Sequence, residues 1–229
     1  MVAKNWGNGW NSHIFLQNTS FSEDFQVRLI FRGSILPNQK SQTTILLKRN
    51  HSVNLRQLSE EILPDNFVGN LTVRVAGDPG NKLITGAAIT SYSGSPRSPL
   101  LAYRAIPNDS TKTAATIPLI YKKKQANQNG NGWNAKLAIM NVSGKSDILN
   151  IEATRDNCCY SDSQEINLFP HGRPFNPLNW ISERFQGSGL ICSTSAKRIA
   201  VLVIIHNDSL NGDTWGSYPS TPTNKETCP

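Results

Sequence analysis

The residue types that most often carry catalysis or bind metals are present, but they are not grouped in the spacings that such chemistry requires. The chain has four histidines, and none stands in the H-E-x-x-H context that holds zinc on a helix. The G-x-S-x-G sequence of serine hydrolases and the phosphate-binding P-loop do not occur either. Residues 208–213 resemble a calcium loop but lack the spacing and the terminal glutamate of an EF-hand. The sequence therefore predicts no catalytic site, no metal site and no cofactor.

Four cysteines occur, all in the second half of the chain: Cys158, Cys159, Cys192 and Cys228. They lack the paired C-x-x-C spacing of a zinc site. Because a bond between adjacent cysteines would close a strained ring, we expect Cys158 and Cys159 to pair separately with the other two, in either order. A bond to Cys228 would tie down the C-terminal tail. Redox chemistry on the adjacent pair is the alternative.

Tryptophans supply the candidate binding residues. Trp6, Trp180 and Trp215 have no counterpart in the internal repeat described below, and Trp180 follows a segment rich in proline and asparagine. Loops on a rigid scaffold commonly carry binding, and exposed indoles beside amides suit a glycan. The alternative is that these side chains cover the hydrophobic core.

The composition is that of a turn-rich β protein with few charges. Hydrophobic residues make up 38% of the 229 residues and charged residues 17%, which favours a secreted or cell-surface protein. The net charge of +7 would suit an anionic partner, but the basic residues are scattered. We therefore expect no nucleic-acid binding, while a polysaccharide partner stays open. Because no stretch of about 20 apolar residues occurs, we expect no membrane insertion.

An internal repeat is the strongest pattern in the sequence. GNGWN occurs at residues 7–11 and again at 130–134. Three further blocks follow in the same order in both halves: 25–31 with 148–153, 67–73 with 185–191, and 82–89 with 197–204. Four blocks in one order indicate two copies of one domain, which we place at residues 1–112 and 113–229.

Each copy reads as a series of short strands. Residues 13–18 and 136–141 alternate apolar and polar side chains, as a half-buried strand does. Asn-Thr-Ser and Asn-Val-Ser-Gly then supply turn chemistry. The predicted fold class is all-β, with two tandem immunoglobulin-like antiparallel β-sandwich domains. The second domain would open with a strand at 117–121 and end in a tail tied by a disulfide.

Residues shared by both copies are expected to serve packing. Trp10 and Trp133 stand just before a strand, where an indole can plug one end of the sandwich; stacking on sugars is the alternative. Phe67 and Phe185 begin core-facing strands. The glycine two positions after each phenylalanine would allow a bulge or a close approach of the backbone.

These blocks resemble a known kind of repeat. The resemblance rests on an opening Ile-Pro-Leu-Ile-Tyr-Lys-Lys, then Gly-Trp-Asn, a strand ending in Gln-Asn, a Phe-x-Gly-Ser element and a closing Ile-Ala-Val-Leu-Val. Together they are similar to the tandem β-sandwich repeats in secreted and surface proteins of filamentous Chloroflexota-type bacteria. The resemblance implies a structural role without an assigned chemistry. The first copy departs from the pattern by lacking most of the opening strand, and the second by carrying all the cysteines.

These patterns favour a non-catalytic structural or adhesive module of a secreted or cell-surface repeat protein. Self-association, or contact with neighbouring repeats, is the expected interaction. Because the first copy lacks an equivalent of the strand at 117–121, an open sheet edge would allow filament formation by strand donation. The alternative is a carbohydrate-binding module of a secreted hydrolase, which would use Trp180 and Trp215. An enzyme would require polar residues from different loops to converge.

Overall fold

The computed structural model describes residues 2–4, 9–33, 40–55, 62–76, 84–92, 100–107, 110–123, 132–156, 160–170, 173–176, 178–207, 215–223 and 228. By its contacts the chain divides into two compact units, residues 1–105 and 106–229. Lys112 and Thr113, at the boundary expected from the sequence, belong to the second unit. Their carbonyl groups accept hydrogen bonds from the amides of Ile199 and Ser193.

The first unit contains two antiparallel four-stranded sheets. Its strands are β1 (Val2–Lys4), β2 (Trp10–Asn18), β3 (Phe25–Gly33), β4 (Lys40–Leu47), β5 (Ser52–Asn54), β6 (Phe67–Val75), β7 (Ile84–Tyr92) and β8 (Leu100–Arg104). The order is β1-β6-β3-β4 in one sheet and β5-β2-β7-β8 in the other.

The second unit repeats this arrangement and adds one strand. Its strands are β9 (Ala114–Lys122), β10 (Trp133–Asn141), β11 (Asp147–Arg155), β12 (Ser161–Leu168), β13 (Arg173–Asn176), β14 (Phe185–Ser193), β15 (Ile199–Asn207), β16 (Trp215–Pro219) and β17 (Thr221–Thr223). The order is β12-β11-β14-β9-β17 and β13-β10-β15-β16. Strands β1 to β8 therefore correspond to β9 to β16 in both sequence order and pairing.

Alternation along the strands builds the core of each unit. In β3, Val27, Leu29 and Phe31 are buried while Gln26 and Arg28 are exposed, because successive side chains of a strand point to opposite faces. Each unit has one hydrophobic cluster, and each cluster takes side chains from both sheets of its unit. The fold is therefore all-β and sandwich-like, as the sequence predicts.

The strand order departs from that of an immunoglobulin constant domain. In that fold the second strand pairs with the fifth, and the third with the sixth; β2 with β5 and β3 with β6 reproduce these two pairings. The seventh immunoglobulin strand lies beside the sixth, whereas here β7 pairs with β2 and β1 lies beside β6. The structure therefore agrees with the expected fold at the level of a two-sheet antiparallel sandwich and differs from it in the order of the strands.

Within the part of the chain that the structure describes, no helix has the length and apolar character that a membrane crossing requires.

Candidate functional site

Phe67 and Phe185 occupy equivalent places in the two cores. Their side chains are 1% and 0% exposed. A Cβ atom on Gly69 or on Gly187 would overlap a carbonyl oxygen of the neighbouring strand and would lie 2.8 or 2.9 Å from Cζ of the phenylalanine two positions earlier. In both units the glycine therefore makes room for the ring and for a close approach of two strands.

Asn18 and Asn141 also occupy equivalent places in the two units, at the ends of β2 and β10. Both side chains are fully buried. Their Oδ1 atoms accept hydrogen bonds from the amides of Ser20 and Ser143, at 2.9 and 2.8 Å, and Asn141 Nδ2 donates to the Lys145 carbonyl at 2.8 Å. An asparagine that bonds to the backbone two residues later forms an Asx-turn. This repeated residue therefore fixes a turn.

The paired tryptophans stand at the first positions of β2 and β10. Trp10 and Trp133 are both partly buried. The ring of Trp133 lies 6.3 Å from that of Tyr121 on β9, at an interplanar angle of 42°, which is within the range of favourable aromatic pairs. Tyr121 and Trp133 belong to different sheets of the second unit, so their contact joins the two layers.

Of the three tryptophans predicted to bind a glycan, the structure gives the side-chain surroundings of one. Trp180 is partly buried and packs against the core of the second unit. Its Nε1–H has no hydrogen-bond partner among the described residues. Trp215 begins β16, opposite His206 on β15, and its side chain is outside the described part, as is all of Trp6.

The predicted disulfide pairing is wrong in its partners. Cys192 bonds to Cys228, with the two Cα atoms 6.0 Å apart, so neither is available to Cys158 or Cys159. Those two residues lie outside the described part of the chain. Cys192 is on β14, and β17, which ends at Thr223 shortly before Cys228, lies in the same sheet. Proximity within this sheet, which spacing alone does not reveal, decides the pairing. The tail is tied down as predicted.

A buried polar cluster surrounds Asp147 and was not predicted. Its Oδ2 accepts a hydrogen bond from Ser193 Oγ at 2.5 Å, and its Oδ1 accepts the amides of Ile148 and Ser195 at 2.9 and 3.3 Å. Ser193 Oγ in turn accepts the Lys197 amide at 2.6 Å. Burial alone would raise the pKa of Asp147, but these hydrogen bonds outweigh burial and lower the pKa. The acid and the hydroxyl are therefore engaged in holding the turn after β14.

An open polar hollow of about 580 Å³ lies at one end of the first unit, lined by Ser22, Asp24, Lys48, Arg49 and His51. The carboxylate of Asp24 accepts the Arg49 amide at 2.8 Å, and His51 Nδ1 lies 2.8 Å from the Arg49 carbonyl. Its acid and its histidine therefore contact the backbone of the turn. This arrangement does not form the linked nucleophile, base and acid of a hydrolytic triad.

The charged side chains on the outward face of strands β6, β3 and β4 in the first unit are all basic among the residues described. Arg28 lies opposite Arg74 on β6, and Arg32 lies opposite Lys40 on β4. Arg28, Lys40 and Arg74 are exposed and Arg32 is partly buried. We call these four residues the basic face. No acidic side chain lies on it among the residues described.

Neutral side chains accept hydrogen bonds from two arginines of the basic face, and one of the two, Arg32, is also affected by the like charge of Arg74. Arg28 Nη2 donates to Gln42 at 2.6 Å, and Arg32 Nη1 donates to Thr72 at 3.4 Å. Burial, and next the charge of Arg74, lower the pKa of Arg32. Like charges opposite each other on neighbouring strands destabilise a sheet, so an anion placed on this face would relieve the repulsion.

The corresponding face of the second unit has the opposite sign. Gly33 pairs with Gly69 and Arg155 with Gly187, and this register aligns β3 with β11. The positions of the four basic residues are then taken by Asn150, Thr154, Ser161 and Cys192. The charged residues on this surface are Glu152 and Glu165, which point outward from β11 and β12; we call them the acidic face.

Sequence reasoning overlooked both faces, although a signal was present. The alternation in β3 places Arg28 and Arg32 on the side opposite Leu29 and Phe31, so two outward basic residues are readable from the sequence. Joining them to Lys40 and Arg74 requires the strand order, because β6 lies beside β3 through a long crossover.

No three His, Cys, Asp or Glu side chains of the described residues gather to hold a metal ion. No known protein-family profile matches the sequence, and no curated protein is found to match it either.

Proposed function

We propose that this chain is a non-catalytic structural module of a secreted or cell-surface repeat protein, and that its copies associate through the basic and acidic faces. The repeated residues support the structural part, because Phe67, Asn18 and their counterparts are engaged in packing and turns. The opposite charge of two equivalent surfaces is the single observation that carries the association.

The two faces fit each other in a head-to-tail sense. A basic face on one copy would meet the acidic face of the next, which is a heterologous contact and can continue as an open chain. Complementary charge sets register and speeds encounter. Such a contact suits a rod or filament at a cell surface, and an adhesive role follows if the free ends meet another surface.

The immunoglobulin-like relationship belongs to the same proposal. It is supported by the pairings of β2 with β5 and of β3 with β6. The resemblance to tandem bacterial surface repeats supports it further, because both units use the same strands in the same order.

Sedimentation velocity at low and high salt tests the association. We expect concentration-dependent oligomers near 0.02 M salt that dissociate near 0.5 M, because the Debye length falls from about 20 to 4 Å over that range. The double variant Arg28→Glu/Arg74→Glu should weaken association about tenfold, since each exposed pair contributes about 0.2–1 kcal/mol. Lys48→Glu/Arg49→Glu makes the same change of net charge outside the face and serves as the matched control.

Mixing two variants gives a sharper result. Arg28→Glu/Arg74→Glu cancels the net charge of the basic face and keeps the acidic face, whereas Glu152→Lys/Glu165→Lys makes the corresponding surfaces of both units basic. At a concentration just sufficient for the wild-type chain to associate, each variant alone should be monomeric and the mixture should associate. A wild-type chain that is monomeric at every salt and concentration, or a mixture that remains monomeric while wild type associates, contradicts the proposal.

The second candidate is a carbohydrate-binding module, and the basic face favours an acidic polysaccharide as its ligand. Arginine forks recognise carboxylates in a bidentate way. Affinity electrophoresis in polygalacturonate, with neutral glucan as control, should then show retardation that Arg28→Glu/Arg74→Glu abolishes. Trp180→Ala and Trp215→Ala test the aromatic version: loss of glycan retention in either variant supports stacking, and unchanged retention excludes it.

A further inference from the structure

The open polar hollow at one end of the first unit is built from two neighbouring turns. The turn between β2 and β3 supplies Ser22 and Asp24, and the turn between β4 and β5 supplies Lys48, Arg49 and His51. All five residues are exposed, so a dissolved ligand can reach them. We call this feature the end hollow.

Hydrogen bonds hold the two turns together and fix their shape. The Asn50 amide donates to the Ser20 carbonyl at 2.9 Å. Asn18 Nδ2 donates to the carbonyls of Glu23 and Leu47, at 2.8 and 3.1 Å. Ser20 Oγ accepts the Glu23 amide at 3.2 Å. Because this backbone is ordered before a ligand arrives, binding costs little further conformational entropy.

The end hollow presents polar groups that the protein itself does not use. Asp24 accepts the Arg49 amide through Oδ1, and His51 contacts the Arg49 carbonyl through Nδ1. Among the described residues, none bonds to Asp24 Oδ2 or His51 Nε2, and no acid pairs with the cations of Lys48 and Arg49. A ligand that combines hydroxyl groups with a carboxylate matches these acceptors and cations.

An aromatic ring belongs to the same turn. Phe21 immediately precedes Ser22 and is 81% exposed, more than any other large apolar side chain of the described residues. A single exposed apolar residue is ordinary on a protein surface. Next to a hollow lined by polar groups, however, it completes the combination of an aromatic contact and a few polar contacts that small-ligand sites use.

The second unit does not repeat this chemistry. The register that aligns β3 with β11 also aligns β4 with β12. Lys48 and Arg49 therefore correspond to Phe169 and Pro170, and Asp24 corresponds to Ser146. The scaffold that both units share does not require these three charged residues, which leaves them free to serve recognition.

We propose that the end hollow binds a sugar acid, that is, a hexuronate unit of an acidic polysaccharide. The ligand carboxylate would accept hydrogen bonds from Arg49 and Lys48. Its ring hydroxyls would bond to Asp24 Oδ2 and His51 Nε2, and the apolar face of its ring would stack on Phe21. The hollow measures about 580 Å³, within the usual range for small-ligand sites. This inference rests on the second candidate function, carbohydrate binding, and gives it a site made of other residues than the basic face.

Amide chemical shifts of the full chain, followed by NMR titration, test this site. The probes are the methyl glycosides of galacturonate and glucuronate, each compared with its neutral hexose counterpart, and acetate. We expect at least one uronate to shift the amides of residues 20–24 and 48–51. It should bind about tenfold more tightly than its neutral counterpart, which lacks the charged partner of Arg49 and Lys48. Acetate should bind more weakly than the uronate, since it has neither ring nor hydroxyl groups.

Substitutions in the end hollow separate stacking from charge. Phe21→Ala should weaken uronate binding about tenfold, because the stacked ring is lost. Phe169→Ala removes an exposed ring from the second unit and should leave binding unchanged, so it is the matched control. Arg49→Gln should remove the preference for the uronate over the neutral sugar.

The same titration separates this site from the basic face. Arg28→Glu/Arg74→Glu should still bind the monosaccharide, even where its retardation in polygalacturonate is lost, so the two carbohydrate proposals fail separately. The end-hollow proposal is wrong if neither uronate shifts these amides in the wild-type chain, or if acetate binds as tightly as the uronate. It is also wrong if Phe169→Ala weakens binding as much as Phe21→Ala does.

Discussion

Gly187 lies where the second unit leaves no room for a side chain. An added methyl group would overlap the Thr154 carbonyl oxygen and approach Cζ of Phe185, so two strands would have to separate. We expect Gly187→Ala to lower the free energy of unfolding by about 1–3 kcal/mol, as overpacking does, measured by urea denaturation. Gly144→Ala is the control, because no atom lies within 4 Å of its added Cβ. Equal stabilities for the two variants would refute this reading of the repeat.

Asp147 gives the stability of the second unit a dependence on acid pH. Its pKa in the folded chain is lowered below the ordinary value of 3.8, so the carboxylate contributes stability above pH about 4, and that contribution is lost as pH falls through the lowered pKa. Wild type should therefore lose more stability than Asp147→Asn between pH 5 and 2, measured by denaturation at each pH. Parallel pH profiles for the two proteins would contradict the assignment.

Residue roles were predictable where both units kept the same residue. The core positions of Phe67 and Phe185 are predictable, because a residue repeated in both units fills the same place in each core. The buried role of Asp147 was not predictable, because its counterpart in the first unit is Phe25 and the comparison of the two units therefore gives no sign of it. A polar residue in an alternating strand also reads as solvent-facing, and only its hydrogen bonds to Ser193 and the following turn explain its burial.

At the scale of the element, one lysine ties the end of β9 to the segment before β14. Lys122 Nζ donates to the carbonyls of Leu178, Asn179 and Ile181 at 3.3, 2.8 and 2.7 Å. We expect Lys122→Met to destabilise the second unit by about 1–3 kcal/mol, because charged hydrogen bonds to the backbone are lost. The exposed Lys145→Met variant is the control for loss of charge. A change of less than about 0.5 kcal/mol in thermal or urea unfolding would show that the contacts contribute nothing.

The first unit uses the same device in a simpler form. Lys4 at the end of β1 donates to the Leu63 carbonyl at 2.7 Å and lies 3.8 Å from Asp65. Alignment of the two halves of the sequence matches their strands but does not reveal this contact. A lysine beside a strand normally reads as a solvated residue, and its carbonyl partners come from a segment about 59 residues away.

The disulfide fixes the edge strand of the second unit. Cys192 and Cys228 are 36 positions apart, and closing such a loop stabilises a fold by about 2–4 kcal/mol in the chain-entropy account. Reduction should lower the melting temperature of the second unit and leave the first unchanged, since all four cysteines follow residue 157. The measurement is calorimetry with and without dithiothreitol. If Cys228→Ser keeps the full sensitivity to reductant, the effect comes from another thiol.

At the scale of the whole molecule, alternation and repetition were enough to predict antiparallel strands in two sheets. The order of the strands was not predictable, because β7 and β1 are exchanged relative to the immunoglobulin pattern. Alternation shows which face of a strand is apolar but not which strand lies beside it. The basic and acidic faces depend on that order, so the candidate site emerged only with the sheet topology.

The two units should unfold in separate steps, the first at the lower temperature. Several apolar side chains that pack against the first core, such as Val73, are only partly buried. Burying an isoleucine is favourable by about 1.5–3 kcal/mol, and the second unit also has the disulfide. Calorimetry should resolve two transitions, with Gly69→Ala shifting only the lower one and Gly187→Ala only the upper one. A single transition that both variants move together would mean that the two compact units fold as one cooperative body.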